Sequence, residues 1–83
     1  MSFKRYDVIT FEENDKVVVL ESLLHDDREY LYVDEINADE TELLEKYKVL
    51  EVDYQNGTLN KITDINQLSV LIPLFQEALS KYN

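Results

Sequence analysis

Two runs dominate the first half of the chain. KVVVLESLL, residues 16–24, and REYLYVDEI, residues 28–36, flank His25, Asp26 and Asp27. Both are dense in β-branched, aromatic and aliphatic residues, the types that fit a pleated, half-buried surface. A two-residue loop of Asp26 and Asp27 joins them as a hairpin, because aspartate tolerates left-handed backbone better than most residues. The register then pairs His25 with Arg28, Leu23 with Tyr30, Glu21 with Tyr32 and Leu20 with Val33, matching side chains in character on each face. The same hairpin disposes of the site-like look of His-Asp-Asp. A metal needs three or four convergent ligands, and neighbouring strand residues point to opposite faces. His25 is read as a turn residue with no catalytic or metal role.

Other elements follow from local pattern. RYDVITFEE, near the N-terminus, alternates weakly and reads as a strand. Asn56-Gly57 in YQNGT marks a second hairpin. A three-residue loop, Gln55 to Gly57, sets Leu50 against Ile62 and Glu51 against Lys61, and is preferred to a two-residue loop that sets Ile62 against Glu51. Strands are expected near 46–54 and 58–63. Between the hairpins lie six acids, Asp34, Glu35, Asp39, Glu40, Glu42 and Glu45, ahead of any base. Asn37 and Glu40 resemble a capping box, so a short helix over 38–46 competes with an acidic loop. A calcium loop is excluded, since its alternating aspartates and its glycine are missing.

After Asp64, an N-cap whose capping box Gln67 completes, Ile65, Leu68, Ile72, Phe75, Leu79 and Tyr82 follow a three-four spacing. They define one amphipathic C-terminal helix with its inner stripe on those residues. Asn66, Ser69, Pro73, Gln76, Glu77 and Ser80 form the outer face. An outward proline bends a helix around a core, while a helix ending near Leu71 and restarting at Pro73 is the rival reading.

The fold expected is α+β: one domain over 1–83, an antiparallel sheet of four to five strands with the helix packed on one face. Val18, Leu20, Leu31 and Val33 lie on one face of the first hairpin. Val17, Val19, Leu23, Tyr30, Tyr32 and Ile36 lie on the other. The helix is assigned to Leu20, Leu31 and Val33, with Leu50 and Val52 from the second hairpin. That leaves a tyrosine face either covered by the acidic segment or the N-terminal arm with Phe3, or open to a partner. The candidate interaction surface is Val19, Leu23, Tyr30, Tyr32 and Ile36, with Val70 and Leu74 on the outer side of the helix.

Charge narrows the function. Eighteen acidic residues against eight basic ones give a net charge of −10, a field that repels nucleic acid and anionic lipid. No direct nucleic-acid binding and no membrane association are expected. The chain has no cysteine, so disulfides and thiolate metal sites are excluded. The opening MSFKRYDVITF lacks the apolar run of a signal peptide, and no segment reaches the roughly 18 apolar residues of a membrane span. A cytoplasmic location is expected. Gly57 stands alone, so no glycine-rich phosphate loop exists, and Ser22, Ser69 and Ser80 lack a nucleophile-elbow pattern. No cofactor and no enzymatic activity are expected.

The order strand, hairpin, acidic segment, hairpin and C-terminal helix, with ITFEENDKVVVLESLLHDDREYLYV as its most characteristic part, resembles the YrzB-like family of small acidic bacterial proteins. The resemblance covers roughly residues 6 to 82. It departs at Asp26-Asp27, where the family has a glycine-containing turn, and at Pro73. It implies the same fold and compartment and no known activity. The expected function is a non-enzymatic interaction module that binds a protein partner or a second copy of itself. The alternative is an acidic inhibitor or nucleic-acid mimic that binds a basic protein.

Overall fold

The computed structural model describes residues 3–81. Five strands, β1 (Val8–Glu12), β2 (Asp15–His25), β3 (Arg28–Ile36), β4 (Leu43–Asp53) and β5 (Thr58–Lys61), precede one helix, α1 (Ile65–Ser80). The strands form a single sheet in the order β1-β2-β3-β4-β5, every neighbouring pair antiparallel. The expected α+β architecture is the one found.

The first hairpin closes as its sequence requires. His25 pairs with Arg28 and Leu23 with Tyr30. Asp26 and Asp27 both take positive φ, 51° and 63°, as the turn that matches the strand twist demands. The register then slips at Leu20, so that Glu21 faces Tyr32 and Val19, not Leu20, faces Val33. This is a β-bulge. It turns the rest of β2 over, because side chains alternate faces at every residue. Val17 and Val19 therefore join Leu31 and Val33 in one fully buried cluster with Leu50 and Val52. The expectation that Val17 and Val19 share the tyrosine face is overturned by that one extra residue. The N-terminal arm braces the bulge: Arg5 Nε donates to the Leu20 carbonyl at 3.1 Å, and the amide of Tyr6 donates to Val19.

Two further irregularities bend the sheet. One falls in β1 between Thr10 and Glu12. The other falls where β3 runs from Asp34 to Ile36 while β4 runs from Tyr47 back to Leu43, with Glu45 at φ 57°. Asp34, only 1% exposed, holds this second bulge by accepting from the Lys46 amide at 2.8 Å. The expected helix over 38–46 does not form. Residues 37–42 are a loop organised by Asn37, whose Oδ1 accepts from the amides of Thr41 and Glu42, and the chain from Leu43 onward is already β4. The second hairpin also departs from expectation. Its loop has four residues, 54–57, which sets Val52 against Leu59 and Leu50 against Lys61. The Asp53 carboxylate selects it by accepting from both the amide and the Nδ2 of Asn56, and Gly57 takes φ 66°.

The helix is continuous, with Pro73 on its exposed face. Asp64 caps it, Oδ1 accepting from the Asn66 amide at 2.8 Å. Its buried residues are Leu71 and Phe75, with Leu68 packed alongside. Ile65 is 79% exposed and Ile72 half-exposed, so the inner stripe is rotated from the one expected. Tyr82 lies outside the described residues. The face it covers also differs. Phe75 and Leu71 pack on Tyr30, Val49 and Ile62, with Leu23 and Tyr32 at the margin, and the Phe75 ring stacks on Tyr32 at 5.5 Å. The helix thus sits on the tyrosine face. Phe3 packs instead on the opposite face, against the Leu31–Val33 cluster, with Ile9 of β1 and Leu59 of β5.

That opposite face has no helix, yet its central valines and leucine are wholly buried. Curvature explains it. In a flat sheet, four strand spacings would hold β1 and β5 about 19 Å apart. Here Phe11 from β1 and Leu59 and Lys61 from β5 line one cleft. The three bulges curl the sheet around that apolar face, so that its two edge strands come to border a common seam.

Candidate interaction surface

The residues expected to form a free surface mostly serve the interior. Val19 and Tyr30 are buried, Leu23, Tyr32, Ile36 and Leu74 half-buried, and only Val70 stands half in solvent. Tyr32 lies between Tyr47 and Phe75, stacked on both. Burial, the neighbouring Tyr47 and the Asp34 charge push its phenol above the usual tyrosine range. α1 covers the part of the tyrosine face around Tyr30 and Val49, while Tyr47 beside Tyr32 stays 53% exposed.

His25 sits where the hairpin reading puts it, at the turn, with Nε2 3.5 Å from the Asp26 carboxylate. A cleft of about 280 Å³ separates this turn from the first turns of α1. Among the described residues, no group of three or more histidine, cysteine or acidic side chains is arranged to hold a metal ion. No helix among them is long and apolar enough to cross a membrane. The same end of the sheet carries Asp27, Glu29, Glu51 and Asp53 around a second cleft, faced by Arg28, which pairs with Glu51 at 2.9 Å. The Tyr54 hydroxyl donates to Glu29, and that bond raises its pKa. The Asn56 side chain and amide lower that of Asp53.

The seam is the surface the sequence did not announce. It holds two adjoining clefts that share Leu59. One, of about 350 Å³, is lined by Phe3, Ile9, Val52 and Leu59 with the Gly57 turn. The other, of about 180 Å³, is lined by Phe11, Val17, Leu50 and Leu59, with Lys48, Lys61 and Asp15 at its polar end. Phe11 is 43% exposed at the rim. Both strands that border the seam are edges: β1 pairs only with β2, and β5 only with β4. Sequence reasoning missed this site because it arises from curvature. The residues that line it form no motif, since Phe11, Val17, Leu50 and Leu59 come from four different strands.

Lys48 Nζ lies 3.3 Å from Glu35. Lys61 has no hydrogen-bond or ion-pair partner among the described residues. Bare strand edges, an apolar interior and a cation at one end can bind and orient an extended apolar group. No family model, no curated protein and no solved structure matches this chain.

Proposed function

We propose that this protein is a non-enzymatic cytoplasmic interaction module and that its binding face is the seam between β1 and β5. The observation that carries the reading is the coincidence, in one place, of two unpaired strand edges with two apolar clefts opening between them. Natural sheets cover or blunt such edges, and contiguous exposed apolar surface marks binding sites. Kinship with the YrzB-like family is part of the proposal, supported by the order of elements. Replacing Phe11 by a photo-crosslinking phenylalanine analogue tests the reading in a native lysate. A discrete adduct is expected from position 11 and none from position 80 on the outer face of α1. Equal labelling from both positions, or none from 11, removes the seam as the binding face.

A second reading, an acidic inhibitor or nucleic-acid mimic, draws support from the four carboxylates around the cleft at the turn end. Such binding works through charge and weakens steeply with salt, since screening sets in over about 10 Å at 0.1 M. A captured partner whose affinity is flat between low and high salt rules it out.

A further inference from the structure

We propose that the seam takes an extended segment of another protein, which adds to the sheet as a strand beside β5, places alternate apolar side chains in the two clefts and sets a carboxylate against Lys61. This rests on the seam being the binding face and goes on to name what fills it.

The backbone comes first. In an antiparallel ladder, successive residues direct their N–H and C=O groups alternately to one neighbour and the other. The Ile62 amide donates to the Val49 carbonyl of β4 at 2.9 Å. Counting back from Ile62, Asn60 and Thr58 also face β4, paired with Glu51 and Asp53. Leu59 and Lys61 therefore direct their backbone groups into the seam. Two residues with outward donors and acceptors are the start of a strand-addition site. No proline or bulge interrupts β5.

The side chains set the pattern of the occupant. The clefts adjoin at Leu59, one reaching toward Gly57 and the other toward Lys61. Pockets spaced along an edge in steps of two residues, about 6.8 Å, match side chains at alternate positions of an incoming strand. Lys61 lies on the same face as Leu59, two residues on, at the polar end of the smaller cleft. A carboxylate two positions from an apolar residue reaches it. The net charge of −10 opposes a single peptide carboxylate far less than it opposes a second copy of the chain, because the repulsion scales with the product of the two charges. At the smaller cleft Lys48 is already paired with Glu35, which leaves Lys61, beside Asp15, as the lysine free to meet a carboxylate. The occupant is thus a segment of the type Glu-x-Val-x-Leu.

The test uses the whole protein, isotopically labelled, at 0.1 M salt, and a blocked peptide Glu-Thr-Val-Thr-Leu. Two further copies are N-methylated on one or the other set of alternate amides, and a fourth carries lysine in place of glutamate. The parent peptide is expected to shift the amides of Leu59 and Lys61 and slow their exchange. One N-methylated copy, the one whose blocked amides face β5, is expected to bind about tenfold more weakly, the loss of one to two hydrogen bonds. The other copy should bind as the parent does. Lys61→Gln should weaken the parent about two- to fivefold, as for an exposed ion pair, while Lys81→Gln should not.

Three results overturn the proposal. The first is equal binding of the parent and both N-methylated copies, which means that side chains alone hold the occupant. The second is binding of the lysine peptide as tight as that of the glutamate one. The third is a shift of the Leu59 and Lys61 amides with protein concentration alone while the peptides leave them unmoved, which makes a second copy the occupant. A position-11 adduct together with any of these leaves the seam as a binding face and removes only the proposed strand.

Discussion

The orientation of α1 decides which side of the sheet is closed, and single truncations along the helix measure it. Phe75 is 1% exposed, stacked on Tyr32 and packed with Leu71, Tyr30, Val49 and Ile62. Truncating such a phenylalanine to alanine costs about 3–5 kcal/mol through lost transfer energy and the cavity left behind. A domain of this size has about 5 kcal/mol of stability, the low end of the usual range. Phe75→Ala should leave about 0–2 kcal/mol. Ile65 belongs to the same three-four stripe in the sequence, but at 79% exposure its side chain gives up almost no contact. Ile65→Ala should cost under about 0.5 kcal/mol, and alanine's better helix propensity offsets part of that. Urea melts followed by circular dichroism separate the two. With a slope of about 1 kcal/mol per molar urea, typical for small domains, Phe75→Ala should melt below about 2 M and Ile65→Ala close to the parent near 5 M. If Ile65→Ala came within 1 kcal/mol of Phe75→Ala, the helix would be seated on the Ile65–Leu68–Ile72 stripe, and the closed face of the sheet would be misassigned.

Replacing Asp26-Asp27 by Asn-Gly should stabilise the first hairpin by about 1 kcal/mol, because both positions are left-handed and glycine carries no Cβ penalty there; a lowered melting temperature would contradict the turn geometry. Asp34→Ala leaves the Lys46 amide without its acceptor and should cost about 1–3 kcal/mol, with faster hydrogen exchange at that amide as the specific mark. His25→Asn should leave folding and metal content unchanged, and stoichiometric zinc lost in that variant would refute the turn reading. The Tyr54 phenol, its pKa raised by the bond to Glu29, favours the folded state below the unfolded value near 10, and that contribution is lost as pH rises through the higher folded value. Ultraviolet titration should show two late phenols, those of Tyr32 and Tyr54, of which one disappears in Tyr54→Phe.

Elements were legible where local chemistry specified them. The Asp26-Asp27 turn, the Asp64 cap and the outer face of α1 each follow from a few neighbouring side chains. Side-chain phase was not legible. Leu20 interrupts nothing visible: in VVVLE every residue from Val17 to Leu20 suits either face, and a bulge without glycine leaves no mark in such a run. Since the period is two, a single added residue exchanged the faces assigned to Val17 and Val19. Asn37 misled for a related reason. An asparagine side chain that accepts from amides further along serves a turn as readily as a helix cap, and here the amides are those of Thr41 and Glu42 in a loop. In α1, apolar residues at 65, 68, 70, 71, 72, 74, 75 and 79 span more than half the circumference, so spacing alone did not pick the stripe centred on Leu71 and Phe75.

The bulges that hid the faces also build the seam, and a curled sheet with two bare edges raises the question of why copies of the chain do not pair with one another. Edge strands are commonly guarded by charge, and here the guard is global: at −10, two molecules repel before their seams meet. The repulsion is screenable, whereas the apolar clefts are not. The screening length falls from about 10 Å at 0.1 M salt to about 3 Å at 1 M. Sedimentation at fixed protein concentration should therefore report a monomer at 0.1 M salt and a growing dimer fraction at 1 M, with Phe11→Asp abolishing the dimer by placing a charge at the rim of the seam. A monomer at every salt concentration would mean that the geometry of the seam, rather than the charge, keeps the edges apart. Dimerisation insensitive to Phe11→Asp would place self-association on another surface.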